Sequence, residues 1–232
     1  MEDPFTEPAD TREAILGAAF RALCEHGYAD LTIQRIGEEF DKSPSLVYHH
    51  YDGKDELLVD LLEFLLDGFE SALSADAFDL PPRARLDTYV AAMTDPSETD
   101  SGHAPDGRFL TAVVELRAQA ATDDAYRAHF DRSDRVFQTF LEQSVREAAA
   151  TIDADAAADP DADAAIDADV QAARSPAGDA VTPAEVAATL QALASGAMLR
   201  WATTNDHDWI PSVQRGIHRY LETTLPAVDP DA

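Results

Sequence analysis

Residues 32–57 read TIQRIGEEFDKSPSLVYHHYDGKDEL, and this stretch decides the fold of the N-terminal part of the chain. Thr32 is placed to cap a short helix, because a threonine hydroxyl can accept a hydrogen bond from a free N–H group of the first turn. Ser43 is placed to cap a further helix that begins at Pro44, since the fixed φ of proline suits the first helical position. The four residues Asp41–Pro44 form the turn between them. Two short helices joined in this way, with a supporting helix before them, predict a helix-turn-helix.

Apolar residues recur at helical spacing through most of the 232 residues, and no stretch alternates as a strand does. The pattern predicts an all-α protein of about nine helices. A helix over about residues 11–26 precedes the quoted stretch and completes a three-helix head, so we predict a DNA-binding domain over residues 1–56. A second helical domain is predicted over residues 57–228. Within it, residues 151–180 are rich in alanine and aspartate and are predicted to form an acidic linker.

The third helix of the head has no formally charged side chain, because no aspartate, glutamate, lysine or arginine occurs from Ser43 to Tyr51. Such a helix suits the major groove, where carboxylates would be repelled by phosphates. Val47 and Tyr51 share one face and are expected to pack inward, whereas Tyr48 and His49 lie on another face. The predicted DNA-contacting residues are Thr32, Gln34, Arg35, Ser43, Ser45, Leu46, Tyr48, His49, His50 and Lys54. The alternative is a generic three-helix cap whose aromatic residues belong to the core.

The net charge of −28 comes from 45 acidic and 17 basic residues, of which only Lys42 and Lys54 are lysines. Residues 1–56 alone carry thirteen acids against five bases, a net charge of −8. This composition is typical of proteins from a cytoplasm at molar salt, where a Debye length of about 3 Å screens self-repulsion. The N-terminus has no apolar run, and acids interrupt the most apolar segment. We therefore expect a cytoplasmic protein without a membrane segment.

Two pieces of the head together carry a family resemblance: AILGAAFRALCEHGYADLTIQRIGEEF (residues 14–40) and KSPSLVYHHYDGKDELL (residues 42–58). They resemble the DNA-binding domain of the TetR/AcrR regulators. The positions that match the family pattern are Gly27, Tyr28, Thr32, Ile36, Ser43, Tyr48, His50, Lys54 and Leu57. The positions that depart are Gly37 for the usual alanine, Val47 for leucine, Tyr51 for phenylalanine, and Ser45 where glycine or proline is common.

The resemblance implies a C-terminal domain that binds a small molecule among its middle helices (57–150) and forms a homodimer through its last two (183–225). The predicted pocket residues are Phe109, Val113, Phe130, Phe137, Phe140 and Trp201. The predicted dimer residues are Ala187, Leu190, Ala194, Ala197 and Met198. Each set has an alternative interpretation as part of the chain's own core. The apolar character of the first set favours a lipophilic effector. The C-terminal half also resembles the BetI-type domain of the same family, at residues 115–117 and Tyr126.

These features predict a ligand-responsive transcriptional repressor that binds palindromic operator DNA as a homodimer and is released by a small effector. The alternative is an activator, or a DNA-independent ligand sensor with the same fold. No acid–base or nucleophile constellation occurs, so an enzyme is not expected, and neither is a cofactor. No metal site is expected either. The aspartate-rich run 153–169 lacks the glycine and the bidentate glutamate of a calcium loop, and no His/Cys cluster suits zinc.

Overall fold

The computed structural model describes Phe5 and residues 7–40, 44–76, 80–95, 107–158 and 181–228. These residues form nine α-helices, with a 3₁₀ turn before α3 (Pro44–Leu46) and another after α9 (Leu225–Ala227). The helices are α1 (Thr11–Asp30), α2 (Ile33–Glu38), α3 (Val47–His50), α4 (Lys54–Asp76), α5 (Pro82–Thr94), α6 (Gly107–Gln119), α7 (Asp124–Ala158), α8 (Pro183–Thr203) and α9 (Ile210–Thr224). The prediction of an all-α fold of about nine helices is confirmed.

Helix α1 contains one break in its helical geometry, at Gly27, where φ is 71° and ψ is 163°. Few residues other than glycine adopt this conformation, because a Cβ atom would clash with the backbone. The helix begins with Asp10 as its N-cap, whose side chain accepts a hydrogen bond from the Glu13 N–H group at 2.9 Å. After the break the chain passes through the buried Leu31 into α2. Gly27 therefore turns the chain where the sequence predicts the end of the first helix.

Helix α7 is longer than the sequence predicts, since it continues to Ala158 rather than ending near residue 150. The first eight residues of the segment predicted as a linker are therefore helical. Alanine, which has the highest helix propensity, favours the extension, although the aspartates of the same segment oppose it. The rest of that segment, residues 159–180, lies outside the described residues.

The described residues pack as two compact units, one within residues 1–74 and 96–134 and one within residues 75–95 and 135–232. In the first unit α1 packs against α2 and α6. Its core includes the fully buried Ile15, Ile36 and Leu57. The three head helices thus share one unit with most of α4 and with α6. The functional boundary predicted between residues 56 and 57 stays a prediction.

In the second unit α5 packs against α8 and α9. The guanidinium of Arg85 is nearly buried and donates a hydrogen bond to the Glu147 carboxylate of α7 at 2.6 Å. Helix α8 begins with a capping box, in which the Thr182 hydroxyl accepts from the Glu185 N–H group and the Glu185 carboxylate accepts from the Thr182 N–H group. This local sequence signal fixes the start of α8.

Candidate nucleic-acid interface

The N-terminus of α2 is built as the sequence predicts. Thr32 is the N-cap, and its hydroxyl accepts a hydrogen bond from the Arg35 N–H group at 3.2 Å. The Gln34 side chain is exposed, and the half-buried Arg35 side chain donates a hydrogen bond to the Asp30 carbonyl. Thr32 and Gln34 therefore face solvent, whereas the guanidinium of Arg35 is engaged by the protein.

The candidate recognition segment is short, because α3 has four residues and follows the 3₁₀ turn Pro44–Leu46 directly. Val47 is fully buried, and Tyr51 is 7% exposed, so both pack inward as expected. The Tyr48 side chain is 64% exposed. Ser45, His49 and His50 are also exposed, and Leu46 is half-buried. We call the exposed residues Ser45, Tyr48, His49 and His50 the recognition row.

One sequence expectation about this segment is not tested, and a second one changes. Ser43 lies outside the described residues, so its predicted capping role stays a prediction. The segment begins as a 3₁₀ turn, and α3 has no side-chain cap. One α-helical turn sums few peptide dipoles, so the positive helix end expected to attract phosphate is weak here. Contacts from this segment must come mainly from its side chains.

Lys54, predicted as a phosphate contact, is engaged by Tyr28. Its ammonium donates a hydrogen bond to the Tyr28 carbonyl at 3.2 Å and lies 4.5 Å from the centroid of the Tyr28 ring. The Tyr28 hydroxyl donates to the Asp55 carboxylate at 3.0 Å, and the Tyr28 N–H group donates to the Glu115 carboxylate at 2.5 Å. Tyr28 thus joins the end of α1 to the first turn of α4 and to α6, and Lys54 belongs to that junction.

Asp60 of α4 receives hydrogen bonds from two other elements. The Arg12 guanidinium of α1 donates to both carboxylate oxygens, through Nε at 2.8 Å and through Nη2. The Tyr51 hydroxyl, directly after α3, donates to Oδ2 at 2.5 Å. Burial on its own would raise the pKa of Asp60, but the bonds from Arg12 and Tyr51 outweigh it and hold that pKa below its ordinary value. Burial, helped by the bond to Asp60, raises the pKa of Tyr51.

Sequence reasoning missed the functional candidates Arg12 and Asp60. A signal was present at Tyr51, because a tyrosine in a position where the family pattern has phenylalanine brings a hydroxyl group. When such a hydroxyl packs inward it requires a partner. The partner could not be named, since it lies nine residues further along the chain on another helix.

The six predicted pocket residues do not come together in one unit. Phe109, Val113 and Phe130 are buried in the first unit, and Phe137, Phe140 and Trp201 belong to the second. The Arg117 guanidinium lies 4.9 Å from the centroid of the Phe130 ring, and the Phe137 ring lies 6.0 Å from that of Tyr89. These neighbours fit the alternative that the residues belong to the core of each unit.

The five predicted dimer residues are buried within the single chain: Ala187, Leu190, Ala194, Ala197 and Met198. The largest exposed fraction among them is 8%. They therefore fit the alternative interpretation as a core face, because α8 packs against α5 through one side. The opposite side of α8 is exposed and also made of small and apolar residues. We call it the outer α8 face, and its members are Ala188, Ala192, Leu193, Gly196 and Leu199.

The described residues hold no side-chain group suited to a metal ion and no helix suited to a membrane. None of their His, Cys, Asp and Glu side chains form a group of three or more that could hold a metal ion. Among the described helices, none combines the length and the apolar character needed to cross a bilayer.

Known proteins are similar to this chain in the head and also beyond it. The family model "Bacterial regulatory proteins, tetR family" matches residues 15–61. The HTH-type transcriptional repressor AcnR of Corynebacterium diphtheriae is 38% identical over 144 residues, which cover 62% of this chain and 68% of that protein. The AcnR of Corynebacterium efficiens is 27% identical over 140 residues, covering 60% of this chain and 64% of that protein. The chain thus spans slightly less than two thirds of the latter relative.

A solved structure agrees over nearly the whole length. A TetR transcription regulator from Haloarcula marismortui has a TM-score of 0.69 and 27% identity, covering 92% of this chain and 97% of that one. These proteins are regulators and not enzymes, which confirms the prediction that no enzyme is present. With the helix-turn-helix and the all-α architecture, these matches establish that the chain belongs to the TetR family of transcriptional regulators.

Proposed function

We propose that this protein is a transcriptional repressor that binds palindromic operator DNA as a homodimer and is released by a small effector. The main support for the proposal is the recognition row, an exposed set of side chains without Asp, Glu, Lys or Arg that lies opposite the buried Val47 and Tyr51. Hydroxyl, imidazole and phenol groups can bond to base edges and phosphates. Repression is proposed because the AcnR relatives are named repressors.

The cations of the head support a contact with DNA that depends little on charge. Each of the four described cations bonds to an oxygen atom of the protein itself: Arg12, Arg21, Arg35 and Lys54. Lys42 lies outside the described residues. Two of the described cations, Arg12 and Arg21, already pair with carboxylates, so few charges remain to neutralise phosphates, and the release of counterions on binding is small. Such an interface suits a cytoplasm of molar salt, which the acidic composition favours.

Salt titration tests this mode of binding. A protein that makes about 6–10 phosphate contacts loses about 10³–10⁵ in affinity between 50 and 200 mM salt. For this protein we expect a slope that is flat or reversed when gel shifts are run from about 0.2 to 3 M KCl. A steep loss of affinity with rising KCl would contradict the proposed mode.

Footprinting on the DNA upstream of the protein's own gene, in molar KCl, tests DNA recognition. The variant Tyr48→Ala should lose the footprint while keeping its far-UV circular dichroism, because the side chain is 64% exposed. Leu80→Ala is the matched control, since it truncates another exposed large side chain in the second unit. A retained footprint in Tyr48→Ala would contradict the proposal that the recognition row contacts the operator. Transcription in vitro from the same fragment then separates a repressor from an activator.

We propose the outer α8 face as the contact with a second copy. Leu193 and Leu199 are 42% and 52% exposed, and a Cβ atom built on Gly196 would meet nothing within 4 Å. Small residues on such a face allow the backbones of two helices to approach closely. Gly196→Glu is therefore expected to yield a monomer in light scattering, whereas Gly68→Glu, on an exposed position of α4, should stay dimeric. A dimeric Gly196→Glu protein would exclude this face.

The proposed effector is a small lipophilic molecule, an assignment that rests on the apolar character of the residues predicted from the sequence to line the pocket, such as Phe130 and Phe140. A ligand that binds the folded protein raises its unfolding temperature. Fractions of a cell lipid extract should therefore raise that temperature in molar KCl and also abolish the footprint. A fraction that stabilises the protein while leaving DNA bound would favour a sensor that does not release DNA.

A further inference from the structure

Asp60 joins three parts of the first unit through one carboxylate group. Arg12 approaches from the first turn of α1, and Tyr51 approaches from the residue after α3, while Asp60 itself lies on α4. The Asp60 side chain is 20% exposed and that of Arg12 is 43% exposed. Hydrogen bonds to an ionised carboxylate are about twice as strong as neutral ones, and partly buried charges are screened little by salt. The contact therefore persists in molar KCl.

Helix α3 depends on its ends for its orientation, because it has only one turn. The N–H group of Tyr51 donates to the Val47 carbonyl at 3.0 Å and closes that turn. The hydroxyl of the same residue binds Asp60 at 2.5 Å. Tyr51 thus fixes α3 through its backbone and through its side chain, and His50 of the recognition row immediately precedes it.

We propose that the Tyr51 hydroxyl and Asp60 are positioning residues for operator recognition, holding the recognition row at a fixed angle to α1 and α4. The proposal rests on the DNA-binding function proposed above. A phenylalanine at position 51 keeps the buried ring but not the directional bond, so the row keeps its packing and loses its fixed angle. Base contacts require accurate placement of donors and acceptors, whereas contacts to the phosphate backbone tolerate displacement.

Tyr51→Phe tests the proposal with the loss of a single oxygen atom. The readout is the ratio of affinities for the footprinted operator and for a shuffled sequence, measured by fluorescence anisotropy in molar KCl. We expect the ratio to fall by about tenfold, and by more in Asp60→Ala, which removes the acceptor altogether. Glu147→Gln is the matched control, because it weakens the comparable contact with Arg85 in the second unit. Its ratio should stay within about twofold of the unmodified protein.

Amide hydrogen exchange provides a readout that needs no DNA. In Tyr51→Phe the backbone amide at position 51 should exchange about tenfold faster than in the unmodified protein, with the amides of α5 unchanged. Equal acceleration throughout the chain would mean a general loss of stability and would overturn the proposal. An unchanged affinity ratio in Tyr51→Phe would overturn it as well. Failure of the unmodified protein to bind any fragment would instead overturn the DNA-binding function on which the proposal rests.

Discussion

Replacement of Gly27 by alanine should destabilise the first unit, for two reasons that the structure makes explicit. The φ of 71° with ψ of 163° is strained for any residue with a Cβ atom, at a cost of about 1–3 kcal/mol. That Cβ atom would also lie 3.3 Å from the Glu115 carboxylate, which accepts the Tyr28 N–H bond. Weakening a bond to a charged group costs up to about 1.5 kcal/mol more, and the stiffer unfolded chain returns about 0.4–1 kcal/mol. The centre of these ranges gives an expected net loss of about 2 kcal/mol.

Thermal unfolding followed by circular dichroism in molar KCl measures this loss. For a chain of this length about 2–4 °C corresponds to 1 kcal/mol, so the midpoint should fall by about 4–8 °C. Gly68→Ala is the control within the same unit. Gly68 lies inside α4 with nothing within 4 Å of a built Cβ atom, so alanine there should stabilise by about 0.5–1 kcal/mol. A midpoint for Gly27→Ala equal to that of the unmodified protein would refute the reasoning from backbone strain.

Two further predictions concern capping and pH. Thr182→Ala removes the N-cap of α8 and should lower the free energy of unfolding by about 1 kcal/mol, measured by urea titration. Thr189→Ala, on the exposed side of the same helix, is the control. Hydrogen bonds hold the pKa values of Asp60 and Glu147 below their ordinary values. The stability that they contribute is therefore complete above about pH 4–5 and is lost as pH falls below the ordinary carboxyl values. In molar KCl, where self-repulsion is screened, the unfolding midpoint of Asp60→Asn should fall less between about pH 5 and pH 3 than that of the unmodified protein. An equal fall in both proteins would contradict a stabilising contribution from ionised Asp60.

The helix boundaries of the head could be predicted because their signals are local. A cap such as Thr32 and a glycine such as Gly27 act within a few residues, so the sequence alone identifies them. The end of α7 could not be predicted in the same way, because its last turns are rich in both alanine and aspartate. Alanine favours the helix and aspartate opposes it, and the local composition does not decide between them.

The side of α8 that packs inward could not be predicted, because both sides carry small residues. Ala187 and Ala194 lie on the buried side, whereas Ala188, Ala192 and Gly196 lie on the exposed side. Helical periodicity shows which residues share a side, but it cannot show which side meets α5. That choice depends on residues far along the chain. The same limit applies to Tyr51, whose inward packing was predictable and whose partner Asp60 was not.

The bonding of the head cations and the rigidity of α3 are connected. Attraction between opposite charges varies slowly with distance, so a basic interface tolerates a loosely held recognition helix. Hydrogen bonds weaken steeply when distance or angle is wrong. In this head the described cations already bond to the protein, and the recognition row offers hydroxyl, phenol and imidazole groups. A DNA-binding domain of this kind gains little from long-range attraction in molar salt and must place its side chains accurately. The bond from Tyr51 to Asp60 supplies that accuracy at the point where a single helical turn cannot supply it alone.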